Sequence, residues 1–113
     1  MKQILIVDDD ETFRCILAES LRKEFEVLES FGVNDALKKL ETSSVDLICS
    51  DYNMRDGTGL DLLQSCKEMN ISVPFMLMSA DDGSHLSRKA DLYGITFCEK
   101  TEREFLNKIR AMI

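Results

Sequence analysis

The sequence predicts an α/β fold, a doubly wound parallel sheet of five strands covered by five helices. Three observations lead there. Short continuous apolar runs alternate with segments whose apolar residues recur every three to four positions. No linker, repeat or low-complexity tract interrupts that alternation. Several of the apolar runs end in a charged or hydroxyl residue, and open α/β sheets bind ligands outside those strand ends.

Ile4 to Val7 is the first strand, a β-branched and leucine run suited to burial on both faces. Residues 11 to 25 place Phe13, Ile16, Leu17, Leu21 and Phe25 at helical spacing, with Glu19, Arg22 and Lys23 elsewhere on the cylinder. Asp10 is expected to cap that helix. Glu26 to Phe31 reads as a second, weaker strand, which Gly32 breaks. Ala36, Leu37 and Leu40 mark the second helix. The third strand is Asp46 to Ser50, and Asp51 ends it. A loop follows from Tyr52 to Gly59, with Asp56-Gly57 as turn chemistry. Leu60, Leu63, Cys66 and Met69 mark the third helix. Pro74, tolerated at a strand start, opens the fourth strand, Phe75 to Met78, which ends at Ser79-Ala80. The helix from Ser84 to Tyr93 is the least amphipathic, with only Leu86, Ala90 and Tyr93 in a stripe, and marginal burial predicts a less stable, more mobile element. Ile95 to Cys98 is the fifth strand, and Glu102 to Ile113 the last helix, with Phe105, Ile109 and Met112 on one stripe. Right-handed crossovers reduce the topologies to a few doubly wound sheets.

The chain has 113 residues, enough for one compact domain over 1–113 and too few for two. Its 44% hydrophobic content supports a core and its 31% charged content a soluble chain. A net charge of −7 argues against direct binding to duplex DNA or an anionic membrane, both of which demand a basic surface. No apolar run approaches the ~20 residues of a membrane span, and Met1-Lys2-Gln3 and the strand after it lack the longer apolar stretch and small-residue cleavage site expected of a signal peptide. A cytoplasmic location is expected. The four cysteines, Cys15, Cys49, Cys66 and Cys98, form no CxxC pair and read as buried, reduced thiols.

The strand ends carry Asp8-Asp9 (first), Asp51 (third), Ser79 (fourth) and Lys100 (beyond the fifth). If the strands are parallel neighbours, carboxylates and an ammonium converge on one edge. Three crowded carboxylates repel, and a hard dication relieves that repulsion while leaving room for phosphoryl oxygens. A purely structural reading is disfavoured, because clustered unpaired carboxylates destabilise a fold.

These residues resemble the receiver domain of bacterial two-component response regulators, close to the single-domain chemotaxis type. The match runs nearly end to end through Val7-Asp8-Asp9, Asp51-Tyr52-Asn53-Met54, Gly59 eight residues after Asp51, Ser79-Ala80, Gly94, Phe97 and Lys100. The resemblance implies a flavodoxin-like sheet with strand order 2-1-3-4-5. It implies that Asp51 is the phosphoacceptor and that Asp8, Asp9, Asp51 and the Asn53 backbone carbonyl hold Mg²⁺. Lys100 and Ser79 would contact the phosphoryl group, and Ser79 and Phe97 would act as the switch. In the resembling family, the residues at Asn53 and Asp81 influence how long the phosphoryl group survives. The implied partners are a histidine kinase or histidine phosphotransfer protein, and a target protein bound through the face around residues 84–100. These 113 residues hold no output domain, so unless the chain was cut from a longer parent it is expected to act by contact or relay, as a monomer or weak homodimer.

Two residues depart from the family pattern. Arg55 stands where most receivers have proline, four residues after the phosphoacceptor, and adds a cation near the pocket mouth. Thr101 replaces the proline that usually follows the lysine through a cis bond. A cis bond before a non-proline residue costs ~2.5–4 kcal/mol, so Lys100-Thr101 is expected trans. These departures sustain an alternative, a silent receiver that binds partners constitutively. A second alternative is a haloacid-dehalogenase-like phosphatase, faintly echoed between Asp51 and Thr58. That class places its nucleophile after the first strand and usually carries a cap domain.

Overall fold

The computed structural model describes residues 1–80 and 83–113. Five strands, β1 (Gln3–Val7), β2 (Glu26–Ser30), β3 (Leu47–Asp51), β4 (Phe75–Ser79) and β5 (Thr96–Glu99), form one sheet. Its order is β2-β1-β3-β4-β5, and every neighbouring pair is parallel. The helices are α1 (Glu11–Leu21), α2 (Val33–Thr42), α3 (Gly59–Glu68), α4 (Ser84–Leu92) and α5 (Phe105–Met112). The doubly wound, flavodoxin-like architecture expected from the sequence is therefore the one observed.

The two-residue period of a strand divides the core in two. Ile4, Ile6, Leu47, Cys49, Met76, Met78 and Cys98 face α1 and α5. Leu5, Val7, Ile48, Phe75 and Leu77 face α2 and α3. Helix α4 buries only Leu86 and Ala90 and has no side-chain cap, in keeping with its weak sequence pattern.

Several boundaries and burials differ from expectation. Helix α1 stops at Leu21 rather than running to residue 25; Phe25 reaches the core from a turn in which its N–H donates to the Leu21 carbonyl. Helix α5 begins at Phe105, not Glu102, because the Glu102 carboxylate is engaged by the Glu99 N–H (3.3 Å) and Lys108 (2.8 Å). The loop after Asp51 contains a small antiparallel hairpin, Asn53–Met54 against Gly57–Thr58. On α3 the buried residues include Leu62, while Met69 ends the helix exposed. Tyr93 is not part of a buried α4 stripe but 47% exposed. Cys49, Cys66 and Cys98 are buried as expected, whereas Cys15 is exposed. No peptide bond among the described residues is cis, so Lys100-Thr101 is trans.

Candidate functional site

The site is built where main-chain pairing runs past the strands into the loops. Beyond β1, the Asp8 N–H donates to the Ser30 carbonyl (3.0 Å). Beyond β3, the Tyr52 N–H donates to Met78 (2.9 Å), and beyond β5 the Lys100 N–H donates to Ser79 (2.8 Å). These bonds continue the sheet and fix where the side chains at its C-terminal edge start. Gly59, the first residue of α3, donates its N–H to the Tyr52 carbonyl (2.8 Å). A Cβ there would stand 2.6 Å from Leu77 Cδ1 and 2.7 Å from the Asp51 carbonyl oxygen, so only glycine lets the helix approach so closely. A capping box between Thr58 and Asp61 starts that helix beside the site.

Asp8, Asp9 and Asp51 each place a carboxylate oxygen within 4.8 Å of the others. Asp8 is fully buried and Asp51 is 9% exposed. Lys100 bridges them, with Nζ 2.7 Å from Asp8 Oδ2 and 3.3 Å from Asp51 Oδ1. Asp8 Oδ1 accepts from the Asp10 N–H (2.9 Å), and Asp9 Oδ2 from the Arg55 N–H (3.1 Å). Burial pushes the Asp51 carboxyl up to about 6, helped by the Asp8 charge and opposed by Lys100. For Lys100, burial works against the charged form, but Asp8 and then Asp51 outweigh it and raise its value.

Three carboxylates against one ammonium leave the cluster with an excess of negative charge. Asp8 Oδ2 is close to Lys100 yet lacks a hydrogen bond of good angle, which leaves a buried acceptor incompletely satisfied. Hard oxygen donors, surplus charge and an under-satisfied buried oxygen suit a small dication such as Mg²⁺.

The remaining expected residues gather around this cluster. Ser79 is buried at the end of β4. Asn53 is exposed at the start of the hairpin, two residues past Asp51. Phe97, half-buried on β5, lies against the loop before α4: a Cβ on Gly83 would stand 2.1 Å from its Cε2. Arg55, with Asp9, Phe31, Gly32 and Asp56, lines a cavity of about 290 Å³ at the mouth. Asp10 caps α1, accepting from the Phe13 N–H (3.2 Å). Asp81 lies outside the described residues. Two contributions have no local signal in the sequence. Asp56 reaches across to the start of α2, and Phe13 sets its ring 4.5 Å from Lys100 Nζ.

The sequence model of the response regulator receiver domain matches residues 4–108. The chain belongs to that family. This receiver is 32% identical to the Regulator of RpoS from Escherichia coli over 114 residues, which is 99% of the chain and 34% of that protein. It is 35% identical to the transcriptional regulator NtrC of Proteus hauseri over 78 residues, 68% of the chain and 16% of that protein. The receiver thus spans about a third or less of the length of these curated relatives. Among solved structures, the response regulator TrrA of Thermotoga maritima, determined in complex with Mg²⁺-BeF, is 25% identical and covers all of both chains at a TM-score of 0.88. The chemotaxis protein CheY4 of Vibrio cholerae shares the fold at a TM-score of 0.90, with 21% identity, covering 100% of this chain and 99% of its own. The haloacid-dehalogenase alternative falls with the family assignment. Among the described residues, no helix is long and apolar enough to cross a membrane.

Proposed function

We propose that Asp51 accepts a phosphoryl group from a phosphohistidine on a histidine kinase or histidine phosphotransfer protein, in a Mg²⁺-dependent reaction. The phosphorylated receiver then binds a target protein or passes the group on in a relay. One observation carries this reading: a nearly buried carboxylate at a strand end has an ammonium 3.3 Å away and two further carboxylates clustered with it.

With its value at about 6, Asp51 is largely ionised at neutral pH and needs no base to act as nucleophile. A carboxylate oxygen attacks phosphorus; the new P–O bond forms as the P–N bond breaks, and the imidazole leaves. Such transfers depend on in-line positioning and charge neutralisation. Asp8, Asp9, Asp51 and the Asn53 carbonyl would hold Mg²⁺, which when bound neutralises charge on the phosphoryl oxygens. Lys100 pairs with one phosphoryl oxygen, and the Ser79 hydroxyl donates to another.

The Lys100 N–H bond to the Ser79 carbonyl joins these two residues through the main chain. A shift of Ser79 toward the product therefore moves the β4 end, and Phe97, seated on Gly83, turns in response. The face around residues 84–100 then changes shape for the target. Leu92, 85% exposed, and Tyr93 beside it offer that target apolar contact.

The test is intact mass of the chain with acetyl phosphate, with and without Mg²⁺, alongside Asp51→Asn. A single Mg²⁺-dependent adduct that Asp51→Asn abolishes is expected. An unreactive chain under every condition would instead support the silent receiver, with Arg55 and Thr101 the first residues to revert to proline.

A further inference from the structure

Lys100 is a buried ammonium with carboxylates on one side and an aromatic face on another. Its side chain is only 10% exposed, and the centroid of the Phe13 ring lies 4.5 Å from Lys100 Nζ. The lysine stem shares one small apolar hollow with Phe13, Leu17 and Phe105. The ring itself is fixed from two directions. Its backbone N–H donates to the capping Asp10 at 3.2 Å, and its ring meets that of Phe105 edge to face, 6.2 Å between centroids at 70°. Phe105 opens α5, directly after the loop that Lys100 begins, so the ring is braced against both flanks of that loop.

We propose that Phe13 is a positioning residue for Lys100, a role that rests on the phosphoryl-transfer reading above. An ammonium on a flexible four-carbon stem has three donors and little intrinsic direction. Asp8 and Asp51 pull it toward the cluster but do not set its height above the sheet edge. An aromatic face attracts the cation through its quadrupole without offering a lone pair, so it holds Nζ near the cluster and leaves the N–H donors for oxygen acceptors. A third carboxylate in its place would compete with a phosphoryl oxygen for those donors. If Phe13 were merely core filler, any apolar side chain of similar bulk would serve equally well.

The experiment compares Phe13→Leu and Phe13→Tyr in the full chain. The rate of adduct formation with acetyl phosphate and Mg²⁺ is followed by intact mass. The Lys100 Hε resonances are followed by NMR in the metal-free protein, where a ring 4.5 Å away shifts them upfield. Phe13→Leu is expected to lose the upfield shift and to slow phosphorylation about three- to tenfold, the loss of one desolvated cation–π contact, while Phe13→Tyr stays within about twofold of the parent. Phe13→Met, which keeps bulk and packs adaptably, takes the place of Leu if Leu loosens the fold. Equal rates for Leu, Met and Tyr, or an upfield shift that survives in Leu, would overturn the proposal while leaving the phosphoacceptor reading intact. A parent chain that never forms an adduct would overturn both.

Discussion

Gly32 and Asp56 are fitted to one another: a Cβ on Gly32 would stand 2.7 Å from Asp56 Oδ1. The two oxygens of Asp56 accept from the Val33 and Asn34 N–H groups, both at 2.9 Å. Helix α2 has a glycine at its cap position and no cap side chain of its own. It takes one instead from the hairpin that follows Asp51, and so ties the loop bordering the site to the helix beside it.

Asp56→Ala should therefore lower stability by about 1 kcal/mol, the usual worth of an N-cap. The pH dependence follows from the two backbone donors, which hold the Asp56 carboxyl below its ordinary 3.8. A depressed folded value means the contribution is complete well above 3.8 and is lost as pH falls through the folded value. Urea unfolding of parent and variant across an acid series reads this directly. A deficit that persists unchanged to the lowest pH would show that the carboxylate charge is not responsible.

Asp51→Asn should stabilise the metal-free protein at neutral pH. The folded carboxyl lies at about 6, above the ordinary 3.8, so its ionisation opposes folding. Stability is present below 3.8 and lost as pH rises through about 6. At roughly 1.4 kcal/mol per pKa unit, the gain in the variant is about 3 kcal/mol above that range and closes below it. Thermal unfolding in a chelator at pH 7.5 and pH 4 makes the comparison. An Asn variant less stable than the parent at both would contradict the crowding described for the cluster.

Gly83→Ala should displace Phe97, since the added methyl cannot occupy space 2.1 Å from Phe97 Cε2. Overpacking of this kind costs about 1–3 kcal/mol. Combined with Phe97→Leu, much of the loss should return, a non-additivity expected of residues in contact. Strict additivity in the double-mutant cycle would mean the two do not meet.

Helix α4 is also held by contacts from outside its short apolar stripe. Lys89 Nζ lies 5.6 Å from the Tyr52 ring centroid and 3.4 Å from its hydroxyl, and Lys67 lies 5.8 Å from the Tyr93 ring. Lys89→Ala should speed amide exchange in α4 by a few-fold, in line with the ~0.5–1 kcal/mol of an exposed cation–π contact. Exchange in α4 that matches the parent would remove Lys89 from the forces holding the helix.

The strands were legible because burial on both faces leaves an uninterrupted apolar run, as in Ile4 to Val7 and Phe75 to Met78. The acid cluster was legible for a related reason: Asp8, Asp9 and Asp51 each stand just where such a run stops. Helix ends were less so. Phe25 continues the α1 spacing yet reaches the core from a turn, and Glu102 extends the α5 pattern yet spends its carboxylate on Glu99 and Lys108. Asp56 looked like a turn residue, and it does sit in the hairpin turn; its second duty lies across the fold, 23 residues from Val33. Phe13 falls on an ordinary helical stripe, and nothing local indicates that Lys100 will arrive over its ring.

The main-chain bonds that prolong the sheet past Val7, Asp51 and Glu99 have a bearing on how freely this chain can vary. The carboxylates and the lysine are hung from those bonds, at Asp8, Tyr52 and Lys100, rather than from the loop tips. Residues further out, Arg55 in the hairpin turn and Thr101 after the lysine, sit beyond these anchor points. Side-chain changes there reshape the rim while leaving these anchor points standing, but at position 55 a proline would also remove the N–H that Arg55 donates to Asp9, so of the two departures from the family's usual prolines only Thr101 lies clear of the cluster's hydrogen bonds.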